Sequence, residues 1–321
     1  MPRPLRILIA CPAKPGTRYG NRVTALRWQS IFHELGHLAR IDFQLRGEYD
    51  VLVALHAFRS SSLIAESRQT RPATPIVVAI TGTDLYRDGK SRATLDSLEL
   101  ADRLVVLQPS AIDDLPAKYR SKTQVIYQSV RPLQLLRPQH PRSKRVLVAG
   151  HLRREKDPMR AAMAVRRLPP ESRICVHHFG AEIDAGLAQQ ARAEAATNPR
   201  YRWMGEVPRG HLKRHLATCW LMVLSSRMEG GANVLSEAIA QRTPVLASRI
   251  PGSIGLLGED YAGYFAVGKT TELRQLLIRC EQDASFYEAL VNQVAARSEL
   301  FTRARELRSW KSLLANLPFG T

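Results

Sequence analysis

The feature that most constrains this chain is a repeated pattern. Short, continuous apolar runs alternate with polar, helix-compatible stretches, and the pattern occurs twice. In the front half the runs are residues 5–11, stopped by Pro12, then 50–55, 75–80 and 103–107. Each has strand length and is too uniformly apolar to leave one face in water. Parallel strands covered by crossover helices on both faces read in this way. The loop 14–20 leads into a helical stretch with apolar Val23, Leu26, Ile31 and Leu35. A proline-rich stretch with Arg131-Pro132, Arg137-Pro138 and His140-Pro141 then reads as a linker. The pattern restarts at 145–149, followed by Gly150, a basic turn and a helical stretch over 159–168. Further strands are expected at 174–179, 220–224 and 244–247, and a helix over 298–317. The expected fold class is α/β, with two doubly wound Rossmann-like domains facing across a cleft and ligands at the carboxyl ends of the strands. The expected boundaries are 1–140 for the first domain and 141–300 for the second. A C-terminal helix, about 300–321, can pack back on the first.

A length of 321 residues suits two domains of roughly 150 each. The four cysteines (Cys11, Cys175, Cys219, Cys280) are far apart and form no C-x-x-C pair. This spacing argues against a cysteine-based zinc site and fits a reducing, cytoplasmic setting. The apolar runs are too short to span a bilayer. Arg3 and Arg6 ahead of the first run imitate a signal peptide, but the run is brief and Lys14 follows it, so it reads as a strand. Lys and Arg number 47 against 29 Asp and Glu, a formal net charge of +18, spread over both halves without a block or tail. A nucleic-acid binder usually gathers such charge on one face, often with stacking aromatics, and only 7% of residues here are aromatic. The excess reads either as a basic solvated surface or as a field that draws in anionic substrates, phosphorylated small molecules included.

Two motif matches do not carry their usual chemistry. Gly263 to Thr270 satisfies the Walker A spacing, yet Tyr264 to Val267 are strand-like and the preceding residues 258–262 are no strand. Thr270 or Thr271 is expected to cap the following helix instead. His33-Glu34-Leu-Gly-His37 matches the zincin pattern, but Gly36 ends the helical stretch and turns His37 off the face that zinc would need.

The strongest local signal is the stretch 225–240, which follows an apolar run and opens a helix through Gly230, Gly231, Ala232 and Asn233. Exposed amides and the positive helix end at such a turn make an anion site. Glu229 precedes the turn and Glu237 lies one to two turns into the helix, and carboxylates suit the hydroxyls of a sugar. In isolation the two acids would read as solvated residues of a capped helix. The second signal is the turn 150–157, where Arg153, Arg154 and Lys156 follow the restarted strand. Three cations there suit a leaving diphosphate, and alone they would read as a basic surface turn. With the Glu-bearing turn expected at the same edge, the functional reading prevails.

The spacing from Glu229 to Glu237, followed by Thr243-Pro244-Val245-Leu246-Ala247, resembles the signature of GT-B glycosyltransferases of family GT4. Gly150-His-Leu-Arg-Arg-Glu-Lys156 resembles that family's donor-phosphate loop, and Trp203-Met-Gly205-Glu-Val207 its strand before the donor site. The likeness runs along the whole chain. Narrower segments resemble the selenosugar synthases of selenoneine biosynthesis: Gly20-Asn-Arg-Val-Thr-Ala-Leu-Arg-Trp28, Thr81-Gly-Thr-Asp-Leu-Tyr-Arg-Asp88, the stretch from Glu229 to Ala238, and the stretch from Ser248 to Asp260. The resemblance implies a glycosyltransferase that joins the sugar of a UDP-sugar, of UDP-GlcNAc or UDP-glucose type, to selenium supplied as selenophosphate. It implies that Lys156 with Arg153 or Arg154 holds the donor diphosphate. Glu229 would contact the transferred sugar and Glu237 the uridine ribose. Gly231, Ala232, Asn233 and Val234 would adjoin the distal phosphate and sugar. Catalytic weight would fall on Lys156, Glu229 and His56, since relatives often carry a histidine near the reaction centre. His56 on position alone reads equally as a polar strand-end residue. One departure is His151, where the family usually has arginine.

The front half is expected to hold the acceptor. Lys14, Gly16, Arg18, Asn21 and Arg22 form a glycine-bearing, cationic loop after the first strand, where a small anion could also meet backbone N–H groups. Thr81, Gly82, Thr83 and Asp84 end another strand at the same edge. Arg59 and Arg87 are further cations there that could orient an anionic acceptor. Selenophosphate is a strong nucleophile and needs no general base. No D-x-D triplet occurs, so a metal-held diphosphate is not indicated and no cofactor is expected beyond the UDP-sugar co-substrate. Neither nucleic acid nor stable membrane association is expected, while the preferred sugar, the anomeric outcome and the oligomeric state stay open. The alternatives are a related transferase with a lipid or polysaccharide acceptor, which should want a membrane-facing amphipathic helix, and a non-catalytic basic nucleotide- or nucleic-acid-binding protein.

Overall fold

A computed structural model describes residues 3–17, 20–133 and 143–319. The apolar runs become two parallel six-stranded sheets. The first contains β1 (Arg6–Ala10), β2 (Leu38–Asp42), β3 (Val51–Leu55), β4 (Ile76–Ile80), β5 (Arg103–Val106) and β6 (Thr123–Val125) in the order β2-β1-β3-β4-β5-β6. The second contains β7 (Lys144–Ala149), β8 (Ile174–Phe179), β9 (Tyr201–Trp203), β10 (Leu221–Leu224), β11 (Val245–Ser248) and β12 (Tyr264–Phe265) in the order β12-β11-β10-β7-β8-β9. All pairings are parallel. Helices separate the strands, so the α/β, doubly wound class holds for both sheets.

The strands that the apolar pattern misses are β2, β6 and β9, three of the four outer strands, while the fourth, β12, falls within the strand-like 264–267. An outer strand has one neighbour and less cover, so it needs no continuous apolar run. The stretch 203–207 is not the strand expected of it: β9 ends at Trp203, and Gly205 turns the chain with φ +68°. The expected helix over 298–317 is broken into a 3-10 turn, Ser298–Phe301, and a helix, Arg303–Ala315, by the extended Thr302.

The chain divides into two compact units. One comprises the chain through Ser129, the segment Glu229–Asn233 and the chain from Arg303 onward; the other comprises Val130–Met228 and Val234–Thr302. Arg137-Pro138, His140-Pro141 and the expected boundary at 140 lie outside the described residues.

In the first unit the side chains of alternate strand residues go to opposite faces and both faces are covered. Ile7, Ile9, Val51, Val53, Val77 and Val105 join the helices Gly20–Glu34 and Arg303–Ala315 in one core. Leu8, Leu52, Val78 and Val106 join Leu63, Ile64 and Leu98 in the other. The helix Gly20–Glu34 buries Thr24, Ala25, Trp28, Ile31 and Phe32; Leu26, expected on that face, is exposed because it projects from the opposite side of the turn. The helix stops at a Schellman arrangement: Gly36 (φ +83°) donates to His33 O at 3.0 Å and His37 to Phe32 O at 2.9 Å. His33 and His37 of the H-E-x-x-H pattern consequently part, toward Ala39 O and the Leu5 amide.

Trp310 of the last helix meets Trp28 and Phe32 edge-on, with ring centroids 4.7 and 4.8 Å apart. The buried Glu306 accepts from Trp28 Nε1 at 3.0 Å and from the Ser129 amide at 2.7 Å. In the second unit, neither Thr270 nor Thr271 caps its helix. Lys269 occupies the cap, Thr270 Oγ1 accepts from Arg160 at 2.6 Å, and Glu272 reaches back to the Ala266 amide at 2.7 Å. Among the described residues no helix is long and apolar enough to cross a membrane.

Trp310 is fully buried. Trp310→Ala is expected to cost about 3–5 kcal/mol of first-unit stability through the cavity it leaves. The measurement is a denaturant titration followed by circular dichroism.

Candidate functional site

In an open parallel sheet, ligands bind at the carboxyl edge where strand order reverses. The second sheet reverses between β7 and β10. Gly150 follows β7 directly, and its carbonyl is approached so closely by Gly180 that a Cβ there would lie 2.0 Å away. The same carbonyl accepts a hydrogen bond from His178 Nε2 at 2.9 Å. The Nε2 proton leaves Nδ1 to accept from Tyr201 Oη, also at 2.9 Å. His178 is fully enclosed, and burial pushes its pKa down to about 4. It is a neutral strut beneath the turn 150–157, and its place inside an apolar strand gave no sequence signal of that role.

The turn itself is stitched to the end of β10. Ser225 Oγ donates to Asp157 O at 2.9 Å, and the Arg227 amide donates to Glu155 O at 2.8 Å. Asp157 takes a left-handed φ of +44° and pairs with Arg160 at 2.9 Å. The Lys156 stem packs over Gly150, with carbons 3.7–3.8 Å from the position a Cβ would take, and joins Ser225 and Ser226 around a small recess. Of the two arginines, Arg153 is the more enclosed, with its side chain 34% exposed and 3.4 Å from Glu155. Arg153 Nε is buried with no hydrogen-bond partner among the described residues. The Arg154 side chain is 91% exposed, 3.8 Å from Asp184. His151 Nδ1 accepts the Ala181 amide at 3.0 Å, and burial, together with Arg153 and Lys156, lowers its pKa. The departure from arginine at 151 therefore places a neutral ring there.

Glu237 lies buried in the helix Asn233–Ala240, where its Oε1 accepts from Arg209 at 2.7 and 3.2 Å. Sequence reading did not single out Arg209. Val234 is half-buried on the same helix.

The half-buried Glu229 leads the segment Glu229–Asn233, which belongs to the first unit. A Cβ on Gly82 (φ +135°) would lie 2.6 Å from Gly230 N, and one on Gly230 would lie 2.4 Å from Thr81 O. Backbone meets backbone at this point, and only glycine fits at either position. Asn233 Oδ1 accepts from Arg27 Nη2 at 3.0 Å. The Gly231 and Ala232 amides make no hydrogen bond among the described residues.

The first sheet reverses between β1 and β3. After β1, residues 14–17 form a turn with Pro15 and Gly16 (φ +80°) at its centre, closed by Thr17 onto Lys14 O. Lys14 and Gly16 are exposed, Asn21 and Arg22 are half-buried in the first turn of the next helix, and burial raises the pKa of the Cys11 thiol, with Arg22 opposing the shift. Arg18 lies outside the described residues.

After β3, His56 has φ +71° and is 2% exposed. Its Nε2 stands 2.9 Å from Thr83 Oγ1 and its Nδ1 accepts the Arg59 amide at 3.3 Å. Burial lowers its pKa against the nearby Asp84. The Asp84 carboxylate and the Thr81 and Gly82 amides, expected at the acceptor site, are engaged with one another. The wholly buried Asp84 carboxylate accepts from the amides of Ala57 (2.9 Å), Thr81 (2.9 Å) and Gly82 (2.7 Å), so these donors face inward. Asp84 ties two strand ends together, and Thr83 keeps its hydroxyl at the edge.

Residues 137–297 match the family model described as glycosyl transferases group 1. Among solved structures, the fold is similar to Alr3699/HepE from Anabaena in complex with UDP and glucose, at 17% identity and a TM-score of 0.76, covering 98% of this chain and 100% of that one. It is also similar to sucrose-phosphate synthase from Thermosynechococcus elongatus, at 14% identity and a TM-score of 0.79, covering 98% of each chain. A glycosyltransferase from Rickettsia africae aligns at 13% identity with a TM-score of 0.75, covering 98% and 99%. These likenesses make the two-sheet α/β architecture that of GT-B glycosyltransferases.

The His178 strut carries a pH signature. Its pKa is depressed to about 4, so its contribution to stability is present above pH 6.5 and is lost as pH falls from there to 4, where only the unfolded chain takes up the proton. The loss amounts to roughly 3 kcal/mol. His178→Gln, which keeps a donor for Gly150 O, is expected to flatten this slope in urea titrations between pH 6.5 and 4.

Proposed function

The chain belongs to the glycosyl transferases of group 1, and from that premise we propose that it transfers a sugar from a UDP-sugar, of UDP-GlcNAc or UDP-glucose type, to selenophosphate, in the manner of a selenosugar synthase of selenoneine biosynthesis. The observation that carries the donor half is the turn 150–157, pinned at the β7/β10 reversal with the Lys156 stem over Gly150. A strand-end turn that presents fixed cations stabilises a departing diphosphate without reorganising as charge develops. HepE bound to UDP, and to UDP-glucose, supplies the analogy for the nucleotide.

In this reading Lys156 and Arg153 hold the diphosphate, while the exposed Arg154 adds to the field around it. Glu237, oriented by Arg209, accepts from the ribose hydroxyls. Glu229 accepts from hydroxyls of the transferred sugar, and the Gly231, Ala232 and Asn233 amides, with Val234 beside them, face the distal phosphate. Selenium bonds to the anomeric carbon as that carbon's bond to the UDP oxygen breaks, and UDP leaves with the electron pair. Hydrolysis of the phosphorus–selenium bond then frees the selenosugar. Lys14, Gly16, Arg18, Asn21, Arg22 and Thr83 receive the acceptor, and His56 acts through Thr83. The narrower resemblance over residues 20–28, 81–88 and 248–260 favours selenophosphate. A second reading, an acceptor with an apolar part, draws on a cavity of about 530 Å³ in the first unit floored by Ile80, Leu85, Leu95, Leu98 and Leu115.

Purified protein given UDP-GlcNAc or UDP-glucose and selenophosphate is expected to release UDP and form a selenium-linked sugar detectable by mass spectrometry. Lys156→Ala and Glu229→Gln should each lower kcat/KM by about 100-fold or more, with unfolding midpoints near that of the parent. No UDP release with selenophosphate, or turnover retained at the parental level in both variants, contradicts the reading.

A further inference from the structure

The hydrogen bonds around His56 have a direction. Its Nδ1 accepts the Arg59 amide, so the ring proton resides on Nε2, which donates to Thr83 Oγ1 at 2.9 Å. Burial keeps the ring neutral despite Asp84 Oδ2 at 3.8 Å and Asp88, and Arg59 and Arg87 oppose protonation further. Having accepted that bond, Thr83 retains its own O–H as a donor, and it makes no other side-chain hydrogen bond among the described residues. The neighbouring Thr81, Gly82 and Ala57 amides are all consumed by Asp84. A ligand at this part of the edge therefore meets a hydroxyl whose O–H is available to donate, and not a ring of amides.

We propose that the Thr83 hydroxyl is an acceptor-binding donor for an anionic, phosphate-type oxygen, and that His56 is a positioning residue that sets the hydroxyl's polarity rather than a base. The location of the acceptor at this edge rests on the proposed function. Deprotonating an incoming alcohol would require His56 to surrender the Arg59 amide and to reach past Thr83 while almost completely enclosed. An oxyanion that is already charged needs only the donor.

The test measures inorganic phosphate binding to the full chain by calorimetry, with UDP present to occupy any diphosphate site. Thr83→Val, nearly isosteric but without the hydroxyl, is expected to weaken phosphate about 10-fold or more, and Thr83→Ser to restore affinity to within about 3-fold. His56→Ala should weaken phosphate comparably, while His56→Gln, which can return an N–H to Thr83, should recover most of the loss. Unfolding midpoints confirm that each variant is folded. Phosphate affinity unchanged in Thr83→Val, or absent from the parent protein, overturns the proposal. UDP that fails to bind while the Thr83 series behaves as expected counts against the proposed function and leaves the Thr83 assignment standing.

Discussion

Parallel strands release every outgoing connection at the same edge, and where neighbouring crossovers run in opposite directions two loops separate and leave room between them. Each sheet here contains one such reversal, at β1/β3 and at β7/β10. The turns that follow the strands at these reversals are 11–17 and 56–59 in the first unit, and 150–157 and 225–228 in the second. The rest of each unit supports that edge, with both faces of the strands covered so that the turns rest on a closely packed layer.

Buried titratable groups serve these turns as struts. His178 stays neutral so that it can donate to Gly150 O, and Asp84 gathers three amides from two strand ends. Both face inward, and in the proposed reading the ligands are left to other side chains: Lys156 and Arg153 beside the β7/β10 reversal, and Thr83 at the end of β4. Such a division suits a transferase of phosphorylated substrates. In that reading the anion is met by side chains whose backbone is fixed, and the fixing groups carry no net charge or have it neutralised by amide dipoles.

Much of this was legible in the residues. The interior strands showed as continuous apolar runs because each is buried on both faces. The outer strands β2, β6 and β9 did not, because partial burial imposes no such pattern. The Gly36 stop was readable because a Schellman end requires a left-handed residue at that position. Leu26 misled because four apolar residues at plausible spacing do not say which stripe faces the sheet. The cationic turn and the two glutamates were visible as spacing, but their orienting partners were not. His178, Arg209 and the inward turn of Asp84 depend on contacts between residues distant in sequence. The Gly82–Gly230 approach is hidden for the same reason: glycine in sequence announces freedom, while here it answers to a backbone 2.6 Å from where a side chain would begin.

A crystal structure of the protein with UDP tests the central claim most directly. The account predicts the pyrophosphate against the turn 150–157, with Lys156 Nζ and the Arg153 guanidinium within hydrogen-bonding distance and the ribose hydroxyls at Glu237. A nucleotide bound elsewhere, with that turn untouched, would contradict it.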